Sequence, residues 1–124
     1  MGVKRVALGT PYSEEITLEG KAHLEEHGFD VVSHGRLENV TNIYEQTAER
    51  AYRLGREVDT PEAQAVFLSG TGMPTIKILE ALEQDLGKPA LSANSAMMWH
   101  ALRLAGVRHP ISGYGRLLAS APNP

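Results

Sequence analysis

The stretch Ala65-Val66-Phe67-Leu68-Ser69-Gly70-Thr71-Gly72 decides the fold class of this 124-residue chain. Its first four residues are all apolar, and short runs of this kind are typical of strands covered on both faces of a sheet. The four residues that follow are small and predict a tight turn. From Ile78 to Leu86, apolar residues then recur at the spacing of a helix. The stretch therefore predicts a strand–turn–helix unit of an α/β protein.

Two strand–helix pairs are predicted before this unit. Val3–Leu8 predicts a first strand and Phe29–Ser33 a second. After the first strand, Ser13 is a suitable N-cap for a helix that runs to about His27. A second helix is predicted from about Asn42 to Val58, because its apolar residues have helical spacing.

One more strand and helix are predicted after it. Pro74 suits the first position of the third helix, and Gly87 its end. Pro89–Ser92 predicts a short fourth strand. Asn94 or Ser95 is a suitable cap for a last helix.

The last helix carries a group of large side chains, Met97, Met98 and Trp99, and ends at Gly106. Core packing is the first interpretation of this group, and a contact surface for another domain is the second. The tail Gly113–Leu118 predicts a further short strand.

Together these elements predict a single domain over residues 1–124. The predicted fold is flavodoxin-like, a three-layer α/β/α domain with a mostly parallel four-stranded sheet in the order 2-1-3-4. Ligands of such sheets bind outside the carboxyl ends of the strands. Three polar segments without carboxylates meet at that edge: Thr10–Tyr12, Ser69–Met73 and Ser92–Ser95.

The composition excludes several classes of function. Twelve Lys and Arg stand against fifteen Asp and Glu, so we expect no basic surface for nucleic acid. The chain has no cysteine, which excludes disulfides, thiolate metal sites and a cysteine nucleophile. No apolar run is long enough to span a membrane, and no export signal is visible. We therefore expect a cytoplasmic protein that binds neither nucleic acid nor membranes.

The turn Ser69-Gly70-Thr71-Gly72 has two interpretations. Small residues let backbone N–H groups approach a ligand, so the turn is a candidate cradle for a carboxylate or phosphate. The alternative is a tight turn without a ligand. The turn partly resembles the phosphate loop of flavodoxins, but it follows the third strand, and Pro74 interrupts the spacing. The chain also lacks a G-x-G-x-x-G pattern, so we expect neither FMN nor a dinucleotide.

The run His23-Leu24-Glu25-Glu26-His27 matches the H-x-x-E-H zinc pattern. Zinc also needs a third ligand and a pocket, and this run lies at a helix end away from the predicted ligand edge. We therefore predict an exposed surface here and no metal site.

Two further side chains have open interpretations. Tyr12 follows the first strand, where its phenol is a candidate hydrogen-bond donor or acid toward a substrate, or a buried structural residue. Asn42 is either the N-cap of the second helix or a ligand contact.

The chain resembles the maleate cis–trans isomerases of the aspartate/glutamate racemase superfamily, which also contains the arylmalonate decarboxylases. The resemblance covers nearly all residues but only the C-terminal half of the family's chain. It rests on Val3–Leu8 with Thr10-Pro11-Tyr12, on residues 25–32, 65–69 and 86–89, and on the ending at residues 106–118.

This resemblance implies a site between two similar α/β halves, each with a cysteine at a strand-to-helix turn, and no metal or organic cofactor. Gly70 stands where the family has its catalytic cysteine, and Tyr12 matches a tyrosine at the substrate carboxylate. The implied substrate-binding residues are Thr10, Asn42, Ser69, Thr71, Gly72, Ser92 and Asn94, with Ser95 in the same turn as the last two.

The absence of cysteine leaves two hypotheses. One is an isomerase-like half that acts on a small dicarboxylate together with a separate N-terminal-half partner. The other is a non-catalytic module that binds a carboxylate or associates with itself as a homodimer. A Gly70→Cys substitution is expected to restore thiol reactivity under the first hypothesis.

Overall fold

The computed structural model describes residues 3–37, 46–107 and 109–120. Four strands form one parallel sheet: β1 (Arg5–Thr10), β2 (Asp30–Arg36), β3 (Ala65–Leu68) and β4 (Ala90–Ser92). The helices are α1 (Glu14–Glu26), α2 (Ala48–Val58), α3 (Leu79–Leu86), α4 (Ala93–Leu104) and α5 (Arg116–Ala119), with a 3₁₀ turn at Ile76–Ile78. The strand order is β2-β1-β3-β4, so the predicted fold class and topology are confirmed.

The first helix and the third strand lie where the sequence places them. The Ser13 side chain caps α1 by accepting a hydrogen bond from the backbone N–H of Ile16. β1 and β2 start and end later than predicted, because the sheet pairing runs from Arg5 opposite Asp30 to Thr10 opposite Arg36. Gly9 is typical of a turn and the polar residues from His34 onward are typical of a loop, so the sequence alone places both strand ends too early.

Two predicted helix starts are wrong. α2 begins at Ala48 because the Thr47 side chain accepts from the backbone N–H of Arg50. Asn42, the predicted start, lies outside the described residues. The third helix does not begin at Pro74, because the chain first makes a 3₁₀ turn in which the N–H of Ile78 donates to the carbonyl of Thr75.

The predicted cap of α4 and the predicted last strand are also wrong. Ser92 is the N-cap of α4, and Ser95 is the third residue of a capping box. The tail forms the short helix α5 instead of a strand. Gly113 and Gly115 have φ of +97° and +96°, which an extended strand does not allow.

The two faces of the sheet differ in how they are covered. On the closed face, which carries α2 and α3, the residues that form the core are Ala7, Leu37, Ala51, Leu54, Val58, Ala63, Val66, Leu68, Met73, Leu79, Leu82 and Ala90. On the open face, which carries α1, a smaller cluster holds Val6, Leu8, Val31 and Ala65. Phe67 packs against that cluster and is only half-buried. The described part of the chain contains no helix with the length and apolar character needed to cross a membrane.

Candidate functional site

The structure brings the segments after β1, β3 and β4 together at the carboxyl edge of the sheet, as predicted. The backbone N–H of Ser69 donates to the carbonyl of Gly9 at 2.8 Å. The Asn94 side-chain amide donates to the carbonyls of Thr71 and Met73, at 3.1 and 3.3 Å. The turn after β3, residues 69–73, is therefore held between the other two segments. We call residues 69–73 the turn.

Gly70 is buried in this turn and has a φ of +101°, a conformation that side chains disfavour. A Cβ added to Gly70 would lie 2.8 Å from the Cδ and Cγ atoms of Pro11 and 3.5 Å from the hydroxyl oxygen of Tyr12. A cysteine therefore does not fit at position 70 unless Pro11 moves. The expectation that Gly70→Cys simply restores a reactive thiol conflicts with this geometry.

The turn presents backbone donors instead of a nucleophile. The N–H groups of Gly70, Thr71 and Gly72 have no acceptor among the described residues, whereas the N–H of Met73 donates to the carbonyl of Gly70. Thr71 is exposed and Gly72 is half-buried. Successive free N–H groups in a turn are the arrangement that binds anions.

Thr10 lies at this edge but is buried, and its hydroxyl is already engaged. The Thr17 hydroxyl donates its proton to the carbonyl of Ser13 at 2.8 Å. The 2.6 Å bond between Thr10 and Thr17 must then use the proton of Thr10. Thr10 also accepts from the N–H of Tyr12. In this structure Thr10 shapes the edge rather than presenting a donor to it.

Hydrogen bonds within the chain also occupy the side chains of Ser92, Asn94 and Ser95. Ser92 and Ser95 are buried and hold each other in the capping box of α4. Both N–H bonds of the Asn94 amide are directed at carbonyls of the turn. These three residues therefore fix the position of the turn, and their predicted contact with a ligand stays a prediction.

Tyr12 and Ser69 are half-buried, and with Thr10 they line a cavity of about 530 Å³. The cavity lies on the open face between α1 and β3. Its other lining residues are Leu8, Ile16, Glu19, Gly20, His23, Leu24 and Phe67. Tyr12 and Ser69 thus border a mostly apolar space.

The remaining predicted residues lie elsewhere or outside the description. Asn42 lies outside the described residues. His23 and His27 are exposed, as predicted, and the His27 ring nitrogen Nδ1 contacts the carbonyl of His23. Among the described residues no group of three or more His, Asp or Glu is placed to hold a metal ion.

A family model described as arylmalonate decarboxylase matches residues 1–118. The chain belongs to the arylmalonate decarboxylase family. A maleate isomerase from Nocardia farcinica is 31% identical over 121 residues, which are 95% of this chain and 48% of the relative. The arylmalonate decarboxylase of Bordetella bronchiseptica is 30% identical over 94% of this chain and 51% of its own length.

A solved structure of the Nocardia farcinica maleate cis–trans isomerase shares the fold with a TM-score of 0.87 and 30% identity. It covers 94% of this chain, which covers 49% of that chain. That structure is a cysteine-to-serine mutant with a covalently bound succinylcysteine intermediate. This member of the arylmalonate decarboxylase family has no cysteine, and it spans about half the length of the curated relatives it matches.

Glu83 is a buried residue of this family member that the sequence analysis missed. The residue is 6% exposed, and its carboxylate accepts from the backbone N–H of Ala90 at 2.9 Å and from that of Arg116 at 2.9 and 3.0 Å. Glu83 thereby links the start of α5 to the start of β4, and this link holds α5 against the sheet. The signal in the sequence is a carboxylate on the apolar side of α3, beside Leu79 and Leu82.

Proposed function

We propose that this chain binds a small dicarboxylate at the carboxyl edge of its sheet, without covalent catalysis by a thiol. The observation that carries the proposal is the turn, where the N–H groups of Gly70, Thr71 and Gly72 lack an acceptor among the described residues. Backbone N–H groups bind a carboxylate oxygen well, because a hydrogen bond to an ionised acceptor is stronger than one between neutral groups.

The neighbours of the turn support an anionic ligand. Ser69 within the turn and Tyr12 beside it add hydroxyl donors. The N-terminus of α4 lies against the turn through Asn94, and its first turn contains no acidic residue, whereas α1 has Glu14 and Glu15 there. The partial positive charge of the α4 N-terminus is therefore not neutralised by its own side chains.

The names of the relatives support a dicarboxylate rather than a phosphate. Maleate and an arylmalonate each carry two carboxylates, and the relatives are named for acting on them. The covalent route seen in the Nocardia structure needs a cysteine, which this chain lacks. A thiol nucleophile for isomerisation would have to come from another chain or from another part of a longer protein.

Isothermal titration calorimetry with maleate tests the proposal. Thr71→Pro removes one backbone N–H from the turn, and the matched control Thr71→Ala removes the hydroxyl and keeps the N–H. We expect Thr71→Pro to weaken binding about tenfold or more, as for the loss of a hydrogen bond to a charged group, and Thr71→Ala to stay within about twofold.

Two results would overturn the proposal. One is wild-type protein that gives no binding heat with maleate or with a malonate. The other is a Thr71→Pro variant, folded by circular dichroism, that binds maleate as tightly as Thr71→Ala. Proton NMR of the same samples should show maleate without conversion to fumarate.

A further inference from the structure

Helix α4 presents an apolar stripe to solvent. Met97, Met98 and Leu104 are 60%, 50% and 77% exposed. Ala101 and Ala105 lie on the same side, because residues three, four and seven apart share a helix face. The opposite side holds the buried Ser95 and the half-buried Trp99 and Leu102. A helix that is apolar on both sides is normally buried on both sides.

The open face of the sheet carries a complementary apolar groove, the cavity already described between α1 and β3. Leu8 and Phe67 form its floor, and Ile16, which is 50% exposed, forms part of its wall. Gly20 widens the groove, since the nearest atom to an added Cβ is a Leu8 methyl at 3.9 Å. The groove has a volume of about 530 Å³, enough for several side chains of another element.

The α4 helix of the same chain does not fill this groove. The Ser92–Ser95 capping box and the Asn94 amide fix the start of α4, and the exposure of Met97 and Met98 shows that its stripe faces away. Among the residues that the structure describes, nothing covers these two apolar surfaces, one protruding and one recessed. Exposed apolar surfaces of this kind mark interaction sites.

We propose that two copies of this chain form a two-fold dimer in which α4 of each copy lies in the groove of the other. A protruding surface and a matching recess on one chain close into such a dimer because each copy donates and accepts the same contact. Flexible methionines and the small residues Gly20, Ala101 and Ala105 suit a close fit.

The dimer also bears on the ligand site. Tyr12 and Ser69 line the mouth of the groove. A partner helix seated in the groove would therefore lie beside these two residues of the carboxyl edge. The dimer itself does not depend on the proposed ligand, because its contacts are apolar and lie on the open face.

Light scattering and sedimentation of the ligand-free chain test the dimer. We expect a dimer for the wild type, and at least tenfold weaker association for Leu104→Glu on the stripe and for Ile16→Glu in the groove. Leu18→Glu is the matched control, because Leu18 is 45% exposed on the same helix as Ile16 but does not line the groove. It should remain as dimeric as the wild type.

Mixing the two defective variants separates this arrangement from other dimers. Leu104→Glu keeps an intact groove and Ile16→Glu keeps an intact stripe, so an equimolar mixture regains one of the two contacts and should form heterodimers. Two results contradict the proposal: a wild type that remains monomeric up to about 1 mM, and variants that do not associate when mixed.

Cross-linking keeps the proposal testable if a glutamate variant fails to fold. The chain has no cysteine, so single-cysteine variants give unambiguous products. A short bismaleimide should join Ile16→Cys to Leu104→Cys in a mixture and should not join Leu18→Cys to Leu104→Cys. A Leu104→Cys product with itself as the dominant species would show helices packed against each other and would overturn the proposal.

Discussion

The closed face of the sheet contributes mainly to stability, whereas the open face is available for contacts with other molecules. On the closed face, α2 and α3 bury Leu54, Leu79 and Leu82 almost completely. On the open face, Phe67 stays half-buried and Ile16 is half-exposed beside the groove. The comparison indicates that the closed face supplies most of the free energy of folding, while the open face and the adjoining carboxyl edge remain available for other molecules.

The largest expected difference between the faces comes from truncating one large side chain on each. Leu79→Ala should lower the free energy of unfolding by about 3 kcal/mol, because it leaves a cavity in the closed core. Ile16→Ala should cost less than about 1 kcal/mol in dilute protein, since its side chain is already half in water. Urea denaturation measures both, and equal losses would contradict the division.

A polar link on the closed side should be the next most costly to break. Glu83→Ala leaves the N–H groups of Ala90 and Arg116 without their acceptor and should cost about 2 kcal/mol. Glu80→Ala, an exposed site on the same helix, is the control and should stay within about 0.5 kcal/mol. If the two variants melt alike, Glu83 does not hold the end of the chain.

At the carboxyl edge, Gly70→Ala should destabilise the protein through both backbone strain and a steric clash. Gly28 also has a positive φ, of +90°, but an added Cβ there meets nothing within 4 Å. Gly28→Ala should therefore cost about 1 kcal/mol for the backbone conformation alone. Gly70→Ala should cost measurably more in the same thermal melts, because its Cβ meets Pro11. A Gly70→Ala variant as stable as Gly28→Ala would mean that Pro11 moves freely, and a cysteine would then fit as well.

The smallest expected change in the free energy of unfolding comes from replacing a helix glycine by alanine. Its sign should differ between the two faces. Gly20→Ala in α1 should raise the free energy of unfolding by about 0.5–1 kcal/mol, because alanine favours a helix and the groove has room for a methyl. Gly55→Ala in α2 should lower it, since the added Cβ would lie 2.5 Å from a Leu82 methyl. Calorimetric melting temperatures that rise for both variants would show that the closed face is less tightly packed than the structure indicates.

Much of the fold follows from local patterns in the sequence. The apolar run of β3, the Ser13 cap of α1 and the alternation of strands and helices lead directly to the sheet order. The structure of the tail could not be predicted in this way. Residues 113–118 have strand propensity, but two glycines with positive φ and the hydrogen bonds of Glu83 to the backbone override it. That contact joins residues far apart in the chain, and no local pattern contains it.

The sequence predicts which segments meet at the carboxyl edge, but not which of their polar groups already have a hydrogen-bond partner within the chain. The sequence correctly brings three polar segments to one edge, because the carboxyl ends of parallel strands meet there. It does not show that the protons of Thr10 and Asn94 go to partners within the chain, since this depends on which carbonyl lies opposite each group. Nor does it distinguish a buried from an exposed Met97, because α4 has apolar residues on both sides.

Backbone amide NMR during a maleate titration tests the central claim most directly, because the proposed contacts are N–H groups. With ¹⁵N-labelled protein, we expect the resonances of Gly70, Thr71 and Gly72 to shift together and to saturate, while those of Gly28 and Gly87, remote from the edge, stay in place. Saturable shifts confined to other segments, or no shifts at all, would contradict a carboxylate site at this turn.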